Sequence, residues 1–166
     1  MTFTTLPGVE PLQSEVLEAL ITEVRPLSGY VSAATTVNNS VTLVNAAGAA
    51  VAVEANATYR LDLYLQYSTN STADFKFGWT FPTGLTMIFG FIGFNTSEAF
   101  TAGGGQIQTS VPTLGGPAAN RVCHVFGHVI TSSTAGTLQL QFAQNTMTGV
   151  NTSVDAGTLL VLQRLS

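Results

Sequence analysis

Nine consecutive residues constrain this chain more than anything else in it: Tyr59-Arg60-Leu61-Asp62-Leu63-Tyr64-Leu65-Gln66-Tyr67. Every odd position is apolar, and the even positions are mostly polar. A period of two places Tyr59, Leu61, Leu63, Leu65 and Tyr67 on one face of an extended strand, the signature of a half-buried strand. Such a face requires a second layer to cover it. A second alternating run, residues 74–81, follows a turn at Asn70-Ser71-Thr72 and stops at Pro82-Thr83-Gly84.

The same pattern extends from Gly29 to the end. Strands are expected at 30–32, 41–44 and 51–54, the last two flanking a turn at Asn45-Ala46-Ala47-Gly48. Residues 86–94 read as a strand with Phe89 and Phe91 on one face and Met87 as a candidate third. Residues 95–120 are the least regular, with Gly103-Gly104-Gly105 and Gly115-Gly116-Pro117 around a strand at 106–111. Residues 121–130, 137–144 (Leu138, Leu140 and Phe142 inward) and 157–165 complete the set. Many short strands separated by turn residues predict an all-β domain over 29–166, a two-sheet antiparallel sandwich of jelly-roll type.

Residues 1–28 read differently, as an N-terminal arm. They hold the only helical periodicity: Leu12, Val16, Leu20 and Val24 recur every fourth residue, with Leu17 and Ile21 beside them. Pro11 suits a first helical turn, and Pro26 ends the helix. A three-turn helix is marginal alone, so this stripe needs something to dock on. It packs either on its own sandwich or on a neighbour.

Composition narrows the function. Charged residues are 8% of the chain and hydrophobic ones 45%, so a core can form while the surface must be uncharged and polar. Such a surface has little self-repulsion and is suited to being covered by copies of itself or by partners. The bland alternative is an extracellular domain with an uncharged surface. The net charge is −4, and the five cations, Arg25, Arg60, Lys76, Arg121 and Arg164, are scattered, which argues against a nucleic-acid partner. The longest apolar stretch, residues 85–94, is too short to span a bilayer. The first residues lack the pattern of a signal peptide, so synthesis in a cytoplasm without secretion is expected. Asn-X-Ser/Thr sequons at Asn38, Asn56, Asn70, Asn95 and Asn151 are then expected to stay unmodified.

No constellation for chemistry stands out. His124 and His128 are four apart in a strand-like run, where they share a face but have no third ligand nearby. Cys123 points away from both and reads as an inert buried thiol. Asp62 and Asp74 each have a cation two residues away, Arg60 and Lys76, which suggests surface ion pairs of little energy, and Glu54 is another charged member of a strand. The glycine runs fit no phosphate loop, and three dispersed aspartates make no calcium site. The expectation is a protein that is not an enzyme and that needs no cofactor and no metal.

The segment Ala55-Asn56-Ala57-Thr58-Tyr59, the strand ending at Tyr67, and Ala73-Asp74-Phe75-Lys76-Phe77-Gly78-Trp79-Thr80-Phe81-Pro82-Thr83-Gly84 carry a resemblance. Together with the closing Asp155-Ala156-Gly157-Thr158-Leu159-Leu160-Val161-Leu162, they resemble β-sandwich virion proteins of tailed phages of actinobacteria, of head decoration and minor tail type. The likeness spans about residues 30–166. The chain departs from those fibres that carry a collagen-like stalk.

The resemblance implies a jelly roll akin to tumour-necrosis-factor-like heads, assembled as a homotrimer. It also implies a place in the virion, on the head or tail, after synthesis in the host cytoplasm. The strand-borne aromatics Tyr64, Tyr67, Trp79, Phe89 and Phe91 outnumber what one small core is expected to hold, which makes them candidates for the trimer seam. The expectation that follows is a head decoration (cement) protein, bound to the major capsid protein or another virion protein through the arm residues Leu12, Val16, Leu17, Leu20, Ile21 and Val24. The alternative is a tail-tip, baseplate or fibre module (a minor tail protein) whose loops at 95–120 take host glycans.

Overall fold

The computed structural model describes residues 25–116 and 120–166. The expected arm helix, with Leu12, Val16, Leu17, Leu20, Ile21 and Val24, lies outside the described residues. The described chain is all β, in two antiparallel sheets. Its strands are β1 (Leu27–Tyr30), β2 (Thr35–Val37), β3 (Val44–Val53), β4 (Thr58–Ser68), β5 (Phe75–Thr80), β6 (Thr86–Phe94), β7 (Phe100–Ile107), β8 (Thr113–Leu114), β9 (Arg121–Ile130), β10 (Gly136–Gln144), β11 (Thr152–Val154) and β12 (Leu159–Arg164).

The pairing has a simple rule. β6 pairs with β7, β5 with β8, β4 with β9, β3 with β10, β2 with β11 and β1 with β12, all antiparallel. The chain is thus one long double ribbon folded back at the β6–β7 hairpin. That ribbon is then wound so that β12 lies beside β4, β9 beside β6, and β10 beside β5. The result is a large sheet, β1-β12-β4-β9-β6-β7 with β2 and β11 at its side, and a small sheet, β3-β10-β5-β8. The two antiparallel sheets enclose one shared core.

The alternation in β4 does what its period demands. Tyr59, Leu61, Leu63, Leu65 and Tyr67 are all buried, and they meet Phe75, Phe77, Leu138, Leu140 and Phe142 of the small sheet in one core. Phe75 stacks on Phe142 at 5.8 Å and lies 4.6 Å from Tyr67. The buried Tyr67 hydroxyl donates to the Gly115 carbonyl at 2.7 Å.

Strand boundaries differ from those expected in several places, and β2, β8 and β11 are additional strands. The expected turn at 45–48 is a bulge inside one long strand, β3. Gln139 of β10 faces Ala50 while Gln141 faces Asn45, so Leu140 alone opposes Ala46-Ala47-Gly48-Ala49. The Gln139 side-chain amide holds the bulge by donating to the carbonyls of Ala46 and Ala49, each at 2.9 Å. Gly48 has φ +87, which reads locally as a turn. β7 begins at Phe100 and runs through the triple glycine, because pairing with β6 outweighs the poor strand propensity of glycine. β11 is too short to show a period.

Phe142 is fully buried at the meeting of both sheets. Phe142→Ala is expected to cost about 3–5 kcal/mol of stability, measurable as a lower midpoint of urea unfolding.

Candidate assembly face

The two sheets present opposite kinds of surface outward. On the small sheet the outward residues are Asn45, Ala47, Ala50 and Ala52 of β3, Thr137, Gln139 and Gln141 of β10, and Lys76 and Thr80 of β5. No strand residue of this sheet is an exposed large apolar side chain, although Leu43 and the exposed Val111 lie over Gly78 of β5. The large sheet carries Tyr30, Tyr64, Ile88, Phe100, Ile107, Val122, Phe126 and Ile130, all exposed.

Register explains how these side chains meet. Leu159, Tyr64, His124 and Ile92 form one row across β12, β4, β9 and β6. Val161, Asp62, Phe126 and Gly90 form the next. Tyr64 stacks on His124 with ring centroids 4.9 Å apart, and His124 lies 5.6 Å from the Phe126 ring. Tyr64 remains 49% exposed and Phe126 42% exposed, so one edge of this aromatic run is still in water.

The charge at its centre is internally paired. The Arg60 guanidinium donates to Asp62 Oδ2 at 2.9 Å, and His124 Nε2 lies 3.3 Å from Asp62 Oδ1. The ion pair expected between Arg60 and Asp62 is therefore present. A partner covering this face would meet a carboxylate that already has its cation, which lowers the desolvation cost of burying it.

The candidate seam aromatics divide by strand parity. Tyr64 points outward. Tyr67, Trp79, Phe89 and Phe91 are buried in the sandwich. Phe77 makes edge contacts with Trp79 and Phe91 at 6.5 and 6.1 Å, and Trp79 meets Phe89 at 6.2 Å. The core of one chain accommodates these four, so the expected surplus of aromatics is corrected to Tyr64 alone. Among the outward residues that sequence reasoning missed are Phe126, Val122 and Ile88. Their signal was available, since each occupies the position of an alternating strand where a polar residue is usual.

The residues considered for chemistry are not brought together as a reactive group. Cys123 is buried on the inner side of β9, where burial pushes its thiol up to about 12. His124 and His128 share the outer face, and no group of three or more His, Cys, Asp or Glu among the described residues could hold a metal. Glu54 accepts from Arg164 at 2.8 Å. Asp74 differs from the expectation of a pair with Lys76: no such pair forms among the described residues, and its Oδ1 is buried without a hydrogen-bond partner. Within the stretch 95–120 the chain forms β7 and the short β8.

Burial, and then the nearby Glu98 charge, raise the Asp74 carboxyl above its ordinary value. A carboxyl raised in the folded state stabilises the fold where it is protonated, and that contribution is lost as pH rises through its folded-state value. Asp74 also sits at φ +50, a conformation Asn adopts readily. Asp74→Asn is therefore expected to raise the melting temperature at pH 7 and to leave it unchanged near pH 3, checked by calorimetry at both.

No protein-family model matches the chain, and no curated protein matches it. Among solved structures it is similar to the tripod from the baseplate of bacteriophage Tuc2009, at 12% identity and a TM-score of 0.34, over 98% of this chain and 72% of that one. It is also similar to the VP2 subviral particle of infectious bursal disease virus, at 8% identity and a TM-score of 0.22, over 86% of this chain and 38% of that one. Likenesses at these TM-scores carry no inference about what this chain does.

Proposed function

We propose that this chain is a structural protein of a virion: a homotrimeric head decoration protein, assembled through the outer face of its large sheet and fixed to the capsid by its N-terminal arm. The observation that carries the reading is the one-sided surface. A sandwich with one mostly polar outer sheet and one aromatic, charge-neutralised outer sheet has a face to hide. The resemblance of residues 55–84 and 155–162 to phage virion proteins supplies the setting and the trimer.

The size of the face suits this role. The five strands from β12 to β7, at about 4.8 Å spacing and about 30 Å length, offer roughly 700 Å². A standard interface takes about 800 Å² from each partner. With only five scattered cations and a net charge of −4, repulsion between copies is weak. In this reading the chain performs no catalytic step, and its arm meets the major capsid protein or another virion protein.

Two measurements test it. Tyr64→Glu places a second carboxylate beside Asp62 in the middle of the face. It is expected to weaken self-association more than a hundred-fold, about 3 kcal/mol, while the melting temperature stays near that of the parent. A sedimentation profile that matches the parent's sinks the seam. Removing residues 1–26 is expected to leave the trimer and abolish capsid binding; a truncated chain that still coats capsids sinks the arm. The tail reading, with host glycans as ligands, is separated by copy number in purified virions: hundreds for decoration, a handful for a tail component.

A further inference from the structure

Among the described residues the large sheet ends at β7, which pairs with β6 alone. Other sheet margins are blunted. β8 has two residues, and β3 is interrupted by its bulge. β1 is short, and its Gly29 lies against the backbone of Ala50 so closely that even a Cβ would collide. β7 is eight residues long, covered on its inner side by Phe91 at Gly103 but exposed on its outer side, and contains no charge and no proline. Natural edges of that length usually carry such protection, and an unprotected one is a template for another strand.

The shape of β7 says which strand it fits. Phe100, Ala102 and Gly104 follow one another on the outer face. Phe100 is 71% exposed. At Gly104 the position of a Cβ is open, with no atom within 4 Å. Here the β6–β7 register shifts, with Gly90 opposite Gly104 and Gly105, the latter at φ +68. The missing side chains leave a hollow of about 280 Å³ walled by Ile88, Phe126 and His128. One strand thus carries a largely exposed aromatic, touched edge-on by Phe94 at 6.0 Å, and, four residues on, an apolar hollow.

Hydrogen-bond parity supplies the rest. The Asn95 amide donates to the Ala99 carbonyl at 2.9 Å, closing the β6–β7 hairpin. Exchanging pairs in an antiparallel ladder recur every second residue. Gly93 and Thr101 are therefore the next exchanging pair, and the N–H and C=O groups of Phe100 and Ala102 point away from β6.

We propose that β7 is a self-pairing edge. Two copies join their large sheets by antiparallel pairing of residues 100–104 about a twofold axis at Ala102. Ala102 exchanges both hydrogen bonds with its counterpart, and Phe100 lies directly opposite the Gly104 position of the second copy. Opposed residues share a face, so each Phe100 ring covers the hollow of the other copy, as aromatics cover cross-strand glycines elsewhere. The contact is isologous. It goes beyond the trimeric virion reading and does not depend on it, because it rests on the backbone edge of β7, although the hollow it fills borders the same outer face.

The test is disulfide trapping of the full chain. An exchanging antiparallel pair sets Cα atoms about 5.5 Å apart, within the range a disulfide spans, and the native Cys123 is buried. Ala102→Cys is expected to give a covalent dimer under mild oxidation, at least ten-fold faster than Ala47→Cys on the small sheet. Adding Phe100→Gly or Gly104→Phe alone should slow trapping about ten-fold, and the two together should restore it, because the swap exchanges knob and hollow. Trapping no faster than the Ala47→Cys control, or a double swap no better than either single variant, overturns the proposal. Trapping that persists with Tyr64→Glu keeps this contact even if the trimer reading fails. A trimer without trapping removes this contact alone.

Discussion

The structure depends on β4. Its odd side chains form the floor of the core, and it is hydrogen-bonded on one side to β9 and on the other to β12 and β11. A strand flanked on both sides has no free backbone, so its residues are committed either to the core or to the outer face. Tyr59, Leu61, Leu63, Leu65 and Tyr67 go inward, and they set the face against which the small sheet must lie. The winding of the double ribbon then follows, because each pair of strands must bring its own apolar face onto that floor.

The same commitment creates the outer surface. With the inward set fixed, Asp62, Tyr64, His124, Phe126 and Ile88 have nowhere to go but out. Their chemistry is unlike that of the small sheet, where Ala, Thr, Asn and Gln face water. The pairing of Asp62 with Arg60 and the stacking of Tyr64 on His124 join these side chains into one surface with few loose charges. The edge at β7 has the same character. Its glycines permit the bulge that bends the strand, and they remove the side chains that would otherwise fill the space beside Phe126.

Particular residues show how far the sequence could be read. Parity in β4 already separates Tyr64 from Tyr67, since residues three apart in a strand lie on opposite faces, so the two could never have shared one seam. For Trp79, Phe89 and Phe91 a local pattern offers no such warning. Whether an aromatic is spare depends on the volume between the two sheets, which is a property of the assembled sandwich. The bulge in β3 resembles a turn in sequence because Gly48 in a left-handed conformation looks locally the same in either setting; only the Gln139 amide, distant in sequence, distinguishes them.

The sequence by itself determined the class of structure: period-two alternation and frequent turn residues demand paired strands with a buried face, whatever their order. It also determined that the surface would be nearly uncharged. Tertiary structure alone decided which strands became neighbours, because hydrogen bonds between strands join residues far apart in the chain. It therefore decided which apolar side chains were enclosed, which formed the outer face, and that the glycines of β7 would lie in an open edge beside an exposed phenylalanine.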